Sequence, residues 1–239
     1  MHQLNLSKKQ THNLGRRALL VGGISALCSG CARVNTPAVN DLKTIWQILS
    51  GTMPEVPISR SQVSKLPYAT MRAKIGRGPR GLLALGHYKG SDLHWFSKDR
   101  ALFVTRGGRI IQTAGLPENI KGTDVGPEDP VQTGLQRLTG PVRFARWIDT
   151  DFENRYQMKI ESRFELIRRE RISILDQEYD TILGREINRA PDIGWKFTNS
   201  YWADEKTGFI WKSRQYIAHS FGPLEFEVLK PAAAPPRPA

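Results

Sequence analysis

The sequence predicts a mainly β protein, either an antiparallel β-sandwich or an open barrel, with an N-terminal helix. From residue 66 onwards, apolar and polar residues alternate along short segments, which is typical of strands with one buried face. Turn-forming residues separate these segments about every 8–12 residues, a spacing that favours hairpin-rich antiparallel sheets. Hydrophobic residues make up 39% of the 239-residue chain, so we expect one well-packed core and not a wholly disordered chain.

The predicted helix covers residues 39–48 and precedes the strands. Asn40 or Asp41 can cap its start, and Gly51 supplies its stop. Apolar residues recur at helical spacing in and just after this segment: Leu42, Ile45, Trp46 and Leu49. We expect Trp46 to belong to the core and not to a binding site.

The strands are predicted from alternation and from the turns between them. Residues 89–92, the pair Gly107 and Gly108, and residues 204–208 each predict a hairpin turn. The predicted strands cover residues 68–75, 82–88, 93–96, 101–105, 109–113, 197–202, 209–217 and 224–229.

Two stretches give a weaker signal. Residues 116–130 are polar and predict a loop or an irregular crossover. Within residues 142–187, strand alternation is seen in Tyr156, Met158 and Ile160. A helical stripe is compatible with Phe164, Ile167, Arg168 and Arg171. The β-branched content, and Gly184 interpreted as a break, favour strands.

The first 30 residues have the organisation of a signal peptide. Residues 1–17 are polar and basic, and residues 18–30 (ALLVGGISALCSG) are apolar or small. Thirteen residues are too few to cross a bilayer core of about 30 Å as a helix, so the segment indicates export. Arg16 and Arg17 match part of a twin-arginine signal, which leaves the choice between that route and Sec open.

The apolar segment ends in a sequence that predicts lipid attachment at Cys31. The small residues Ser29 and Gly30 occupy the two positions before it, and Cys28 stands at the apolar −3 position. Cys28 itself is a poor acceptor because a bulky leucine precedes it. Ala32 follows Cys31 in place of the aspartate that retains lipoproteins on the inner membrane, which favours the outer membrane. An uncleaved helix and an ordinary secretory peptide are the alternatives.

These features divide the chain into four parts. Residues 1–30 are the predicted lipoprotein signal peptide, residues 31–37 a tether, residues 38–230 a single β-rich domain, and residues 231–239 a disordered Pro/Ala-rich tail. The expected location is the cell envelope, with the lipid-anchored protein at the periplasmic face of the outer membrane. Both cysteines precede the predicted domain, which therefore has no disulfide and no thiolate zinc site.

The charge of the chain predicts its partners. The formal net charge is +12, and without residues 1–30 the chain has 31 basic and 23 acidic residues, a net charge of +8. A basic surface favours polyanions. The chain has no basic run with interleaved aromatic residues, and exported proteins rarely meet nucleic acid. We therefore expect anionic polysaccharide or lipid as partner, and no nucleic acid.

The candidates for catalysis or metal binding are weak. Asp149, Asp151 and Glu153 cluster near Trp147 and could supply two carboxyls about 5–9 Å apart for glycoside hydrolysis, although a solvated turn is the simpler interpretation. The histidines after the signal peptide have no acid clearly placed beside them: His87, His94 and His219. No nucleophile elbow, P-loop or dinucleotide fingerprint occurs. We expect no catalytic residues, no cofactor and no metal.

One segment of the strand at 209–217 is a candidate ligand-binding surface. Alternation puts Lys212, Arg214 and Tyr216 on the face opposite Trp211. Arginine forks bind the carboxylates of acidic sugars, and aromatic rings stack on sugar rings. We expect Trp211 to pack in the core and the other three residues to face outwards, with the reverse orientation as the alternative.

Four segments in this order carry a family resemblance: residues 66–85 (LPYATMRAKIGRGPRGLLAL), 94–120 (HWFSKDRALFVTRGGRIIQTAGLPENI), 195–215 (WKFTNSYWADEKTGFIWKSRQ) and 223–231 (PLEFEVLKP). They resemble the YjbF/GfcB family of lipoproteins, which is associated with exopolysaccharide and group 4 capsule production. The resemblance implies a mainly β accessory lipoprotein, with polysaccharide-export proteins as possible partners. It carries over only Cys31 as a functional position.

The expected function is therefore that of a non-enzymatic accessory factor in exopolysaccharide or capsule assembly or export. Two alternatives stay open. One is a polysaccharide-modifying enzyme that uses the carboxylates near 149–153, and the other is a general envelope scaffold. The Cys28 at −3, the twin arginines and the Pro-rich tail depart from the commonest family pattern.

Overall fold

Twelve antiparallel strands form one curled sheet in the computed structural model, which describes residues 57–233. The strands are β1 (Thr70–Ile75), β2 (Gly81–Lys89), β3 (Asp92–Ser97), β4 (Leu102–Arg106), β5 (Arg109–Ala114), β6 (Ile120–Val125), β7 (Val142–Thr150), β8 (Met158–Ile174), β9 (Gln177–Ala190), β10 (Trp195–Asp204), β11 (Ile210–Gln215) and β12 (Leu224–Lys230). Their order in the sheet is β5-β4-β3-β2-β1-β12-β11-β10-β9-β8-β7-β6.

The two ends of this sheet approach each other. The backbone N–H of Ile120 in β6 donates to Oγ1 of Thr113 in β5 at 3.0 Å. The sheet is therefore a nearly closed barrel. This confirms the mainly β, antiparallel prediction, and of the two predicted architectures the barrel is the one observed.

Hairpin turns form at the predicted positions. Gly107 and Gly108, between β4 and β5, have φ angles of 57° and 96°, a conformation that glycine adopts without strain. A Cβ on Gly108 would also lie 2.6 Å from Cβ of Ile210, so no larger residue fits. The hairpins predicted around residues 89–92 and 204–208 are confirmed as well.

The polar stretch 116–130 contains a strand that the sequence did not predict. Residues Ile120–Val125 form β6 and pair with β7. β6 is the last strand of the hydrogen-bonded ladder, and most of its residues are at least partly exposed. Its alternation of apolar and polar residues is correspondingly weak, because an edge strand buries little of either face.

Residues 142–187 form strands and not a helix. The helix-like spacing arises because a bulge between Leu166 and Arg168 shifts the alternation of β8 by one residue. The interpretation of Gly184 as a break was wrong, since it lies within β9. A Cβ there would lie 2.6 Å from ring atoms of Phe164, so glycine is required by packing.

Residues 57–233 contain two short α-helices that the sequence did not predict, and three 3₁₀ turns at Leu135–Arg137, Phe152–Asn154 and Pro191–Ile193. Helix α1 (Arg60–Ser64) begins with a capping box between Ser59 and Gln62. Helix α2 (Pro130–Thr133) is capped by Asp129. Five and four residues are too few to show helical periodicity in a sequence.

Helix α1 connects the tip of the β8–β9 hairpin with β12 through hydrogen bonds of Arg60. The guanidinium of Arg60 donates to the carbonyl oxygens of Ile174 at 2.6 Å and Leu229 at 2.9 Å. The turn residues Leu175 and Asp176 have φ angles of 48° and 63°, which costs roughly 1–2 kcal/mol for each non-glycine residue. The contacts of Arg60 help to hold this strained turn.

Apolar side chains directed into the barrel form its core. The largest cluster includes five side chains that are each at most 5% exposed: Met71, Trp95, Phe103, Leu224 and Phe226. A second cluster contains the fully buried Leu135, Phe164 and Tyr201. Burying one such side chain stabilises the fold by about 1.5–3 kcal/mol.

Several predicted features lie outside the described residues. These are the signal peptide, the tether with Cys31, the helix at 39–48 and the last six residues of the tail. Residues 231–233 follow β12 without regular structure. Within the part of the chain that the structure describes, no helix has the length and apolarity needed to cross a bilayer.

Candidate functional site

A network of ionised side chains is buried inside the barrel. Arg109 is 1% exposed, and its Nε and Nη2 donate to the carboxylate of Asp129 at 2.5 and 2.8 Å. Its Nη2 also donates to Oε1 of Glu186 at 2.8 Å, and Nη1 of Arg146 donates to the same oxygen at 2.9 Å. Two positive and two negative charges balance, which removes much of the penalty for burying ions.

Neutral side chains complete the surroundings of Glu186. Nδ2 of Asn199 donates to its Oε2 at 2.7 Å, and the phenol of Tyr201 lies 3.3 Å from the same oxygen. The Tyr201 phenol is also 3.2 Å from Oε1 of Gln215. The network therefore reaches from β5 across to β7, β9, β10 and β11.

The arginines keep Glu186 ionised. Burial alone would raise the pKa of this carboxyl, but the charges of Arg109 and Arg146 outweigh burial and lower the pKa from 4.5 to about 2. Burial raises the pKa of Tyr201 above its ordinary value of 10.0. Neither group titrates near neutral pH, as a general acid or base would.

A cavity of about 600 Å³ lies against β1, β3, β11 and β12 and is bounded by α2 and the β10–β11 loop. This volume is in the range of small-molecule sites. Its buried end is mainly apolar and includes Met71, Trp95, Val131, Ile210 and Phe226. Its more exposed end adds polar and basic residues to the aromatic Phe209 and Trp211, namely Gln132, Thr133, Gln136, Arg137 and Thr207.

The buried network holds the wall of this cavity. Asp129, besides its ion pair with Arg109, accepts the backbone N–H of Val131 at 3.0 Å and so caps α2. Gln215 donates from Nε2 to the carbonyl of Gly108 at 2.8 Å. Val131 and Gly108 both line the cavity, so the charges and amides beneath it fix the backbone that encloses it.

The three predicted ligand-binding residues lie close together and have acidic neighbours. On β11 the alternate residues are buried, while Nζ of Lys212 lies 3.2 Å from Glu227 and Nε of Arg214 lies 3.4 Å from Glu225. The ring of Tyr216, just after β11, is 5.5 Å from the guanidinium of Arg214. Lys212 and Arg214 are thus already paired with carboxylates.

Trp211 packs only partly buried against a small apolar cluster of Val63, Ile174 and Leu229. A bulge opposite Trp202 and Ala203 interrupts the alternation of β11 at this residue. Its ring lies 4.0 Å from that of Tyr179, and its side chain is half-buried beside the cavity. The bulge, which the sequence does not reveal, thus changes the face on which Trp211 lies.

The acidic cluster at 149–153 is engaged in local structure. Asp149 accepts a backbone N–H eight residues later at 2.7 Å. Asp151 accepts the backbone N–H and Nδ2 of Asn119 at 2.6 and 2.8 Å, and Glu153 pairs with Arg155 at 2.5 Å. These contacts agree with the interpretation of the cluster as a turn.

The three histidines among residues 57–233 are not grouped with acidic residues as a metal site would require. His87 and His94 stack across β2 and β3 with ring centroids 4.1 Å apart, and burial, aided by the charge of His87, lowers the pKa of His94. The ring of His219 lies 5.7 Å from that of Trp195. Within residues 57–233, no three His, Cys, Asp or Glu side chains are grouped so that they could hold a metal ion.

Sequence reasoning missed the buried network. In β9 an apolar residue is expected inside, yet Glu186 is 0% exposed and Ile187 is 41% exposed. A signal does exist, because Gly184, Glu186 and Asn188 place three non-apolar residues at alternate positions of one strand. When the residues on the other face of the same strand are also charged, such a pattern indicates that the inner face of the strand is polar.

Comparison with known proteins places this architecture in a family. Residues 42–229 match the family described as "Group 4 capsule polysaccharide lipoprotein gfcB, YjbF". The lipoprotein GfcB of Escherichia coli (strain K12) is 28% identical over 181 residues, covering 74% of this chain and 83% of GfcB. The lipoprotein YjbF of the same organism is 25% identical over 236 residues, covering 91% and 98%.

The fold is also that of a solved structure. The crystal structure of the hypothetical lipoprotein YmcC from Escherichia coli (K12) superposes with a TM-score of 0.67 at 24% identity, covering 82% of this chain and 96% of YmcC. Because the family match spans most of the sequence, including all twelve strands except the last residue of β12, the chain belongs to the YjbF/GfcB family of group 4 capsule polysaccharide lipoproteins.

Proposed function

We propose that this protein is a non-enzymatic accessory factor in exopolysaccharide or capsule assembly or export, anchored through acylated Cys31 at the periplasmic face of the outer membrane. The observation that carries the proposal is the family match over residues 42–229. It is supported by the residues before Cys31, which are typical of a lipid-attachment sequence, and by Ala32 after it. Contact with polymer or with export proteins is the proposed mode of action.

The anchor is tested by mass spectrometry and membrane fractionation of the full-length protein expressed in a Gram-negative cell. We expect acyl chains on Cys31 and protein in the outer-membrane fraction. Cys31→Ser should release the protein from that fraction, whereas Cys28→Ser, a matched control three residues away, should leave it there. An unmodified thiol at Cys31 in the soluble fraction would refute the anchor.

The carboxylates at 149–153 are held in local hydrogen bonds and an ion pair. This supports a non-enzymatic role and not that of a polysaccharide-modifying enzyme. The test is to incubate the protein with the polysaccharide of its own organism and to measure chain length by size-exclusion chromatography. We expect no shortening. Shortening that disappears in Asp151→Asn or Glu153→Gln would favour the enzyme alternative and overturn this part of the proposal.

Lys212, Arg214 and Tyr216 are the proposed contact with an anionic polymer. An incoming carboxylate must compete with Glu225 for Arg214, so the two partners of this ion pair have opposite predicted effects. Arg214→Ala, alone or with Lys212→Ala, should weaken binding, and Glu225→Gln should strengthen it. Binding should also weaken with added salt. Equal effects of Arg214→Ala and Glu225→Gln would refute this contact.

A general envelope scaffold is the remaining alternative. Affinity purification of the intact lipoprotein from envelopes separates it from the proposed role. Co-purification of polysaccharide-export proteins or of polymer supports the accessory factor. Recovery of envelope proteins unrelated to polysaccharide, in a strain that produces the polymer, would favour the scaffold.

A further inference from the structure

We propose that the cavity binds a single-chain anionic lipid, with the acyl chain inside and the head group at the mouth. The polar groups at the two ends of the cavity differ in whether they already have hydrogen-bond partners. At the buried end, Oγ1 of Thr105 accepts the indole N–H of Trp95 at 2.9 Å, and Oγ of Ser213 accepts Nε2 of Gln215 at 2.9 Å. Each of these hydroxyls already has a hydrogen-bond partner and the rest of this end is mainly apolar, so this end favours hydrocarbon.

The mouth has unsatisfied groups of a definite chemistry. Among the described residues, the guanidinium of Arg137 has neither an ion pair nor a hydrogen bond, and its side chain is exposed. The buried Oε1 of Gln136 also has no hydrogen-bond partner in residues 57–233. A Cβ on Gly208 or Gly134 would lie within 2.7 Å of that amide, so the surrounding backbone holds it closely.

These two groups select the head group. Arg137 attracts a negative charge, and the amide oxygen of Gln136 accepts a hydrogen bond from a hydroxyl or N–H. A phosphate ester that also bears hydroxyls meets both requirements. Lys212 also lines the cavity, but it is paired with Glu227, so Arg137 is the cation available to the ligand.

The size of the cavity limits the hydrocarbon part. If a methylene group occupies roughly the 30 Å³ that a water molecule occupies in the liquid, about 600 Å³ holds about 20 such groups. This volume suits one acyl chain. The head group then remains at the mouth beside Gln136 and Arg137.

The test uses the full-length protein in isolated envelopes. Two photoactivatable, clickable probes share one acyl chain: lysophosphatidylglycerol, which is anionic, and monoacylglycerol, which is uncharged. After irradiation, mass spectrometry locates adducts on tryptic peptides. We expect enrichment on the peptides that contain Trp95, Ile210 or Phe226, and competition by unlabelled lysophosphatidylglycerol. Adducts no more frequent there than on the peptide of the exposed Tyr156 would overturn the proposal.

Two matched charge reversals test the head-group site. Arg137→Glu should lower the adduct yield of the anionic probe at least about fivefold and leave the neutral probe unchanged. Arg143→Glu, at another exposed arginine, should change neither. Val228→Trp, which fills the cavity from a half-exposed position, should reduce adducts of both probes while a cooperative thermal transition verifies its fold. An equal response of both probes to Arg137→Glu would refute anion recognition.

Discussion

Replacing Glu186 by glutamine removes one charge from the buried network and keeps the size of the side chain. Arg109 would keep its ion pair with Asp129, and Arg146 would lose its ion pair with a carboxylate. Breaking a buried ion pair by removing one partner costs about 3–5 kcal/mol. In a protein of this size, 1 kcal/mol shifts the melting midpoint by about 2–4 °C, so we expect the midpoint to fall by roughly 6–20 °C.

The same substitution changes the response to acid. The pKa of Glu186 is about 2 in the folded protein against an ordinary value of 4.5, so the unfolded chain binds the proton first as the pH falls. The stability supplied by the carboxylate is complete above about pH 4.5 and is lost progressively towards pH 2. The difference in pKa corresponds to about 3 kcal/mol. Glu186→Gln should lack this part of the acid sensitivity.

The matched control lies on the same strand. Glu178 pairs with Arg171 at 3.3 Å, and both side chains are more than 60% exposed. Glu178→Gln should therefore cost at most about 1 kcal/mol. Thermal and urea unfolding followed by circular dichroism, from pH 7 to pH 3, compares the two variants with the parent. Equal losses in both variants, or an unchanged acid response in Glu186→Gln, would contradict the reasoning.

Two further predictions concern packing and the hairpin tip. Gly184→Ala should lower the free energy of unfolding by about 1–3 kcal/mol because its Cβ would overlap the ring of Phe164. Gly81→Ala, with no atom within 4 Å of its Cβ, should change the melting midpoint little. A larger loss of stability in Gly81→Ala than in Gly184→Ala would be inconsistent with the packing described. Arg60→Ala should speed amide hydrogen exchange at the tip around Leu175 without lowering protection in the rest of the sheet; unchanged exchange there would show that the Arg60 contacts do not hold the turn.

Most of the strands could be predicted because each has one face towards an apolar core. The alternation in β1 and along most of β12 follows from that arrangement, whereas β4 and β5, which each bury three consecutive residues, could be predicted from the turn at Gly107 and Gly108. Where the alternation is disturbed, prediction fails for a physical reason. The edge strand β6 buries little, and the bulges next to Ile167 and at Trp211 shift the faces of their strands.

The candidate sites could be predicted only in part. Strand alternation suffices to place Lys212 and Arg214 together on one face, but their partners Glu225 and Glu227 come from a strand adjacent only in the folded sheet. The cavity and the buried charges each depend on several strands meeting inside the barrel. The pattern within one segment of the sequence does not show which strands will lie together in the fold. In addition, a strand that buries Glu186 and exposes Ile187 contradicts the rule that apolar residues are buried and charged residues exposed.

The buried charges and the cavity are connected through Asp129. Helix α2 has four residues, far too few to be stable from its own hydrogen bonds, yet it forms part of the cavity wall. Its position depends on the side chain that caps it, and that side chain is held by Arg109. An apolar replacement of the network could match its contribution to stability, but it would provide neither the cap nor the anchor for α2. We therefore infer that the charges are placed where they keep one wall of the cavity in position.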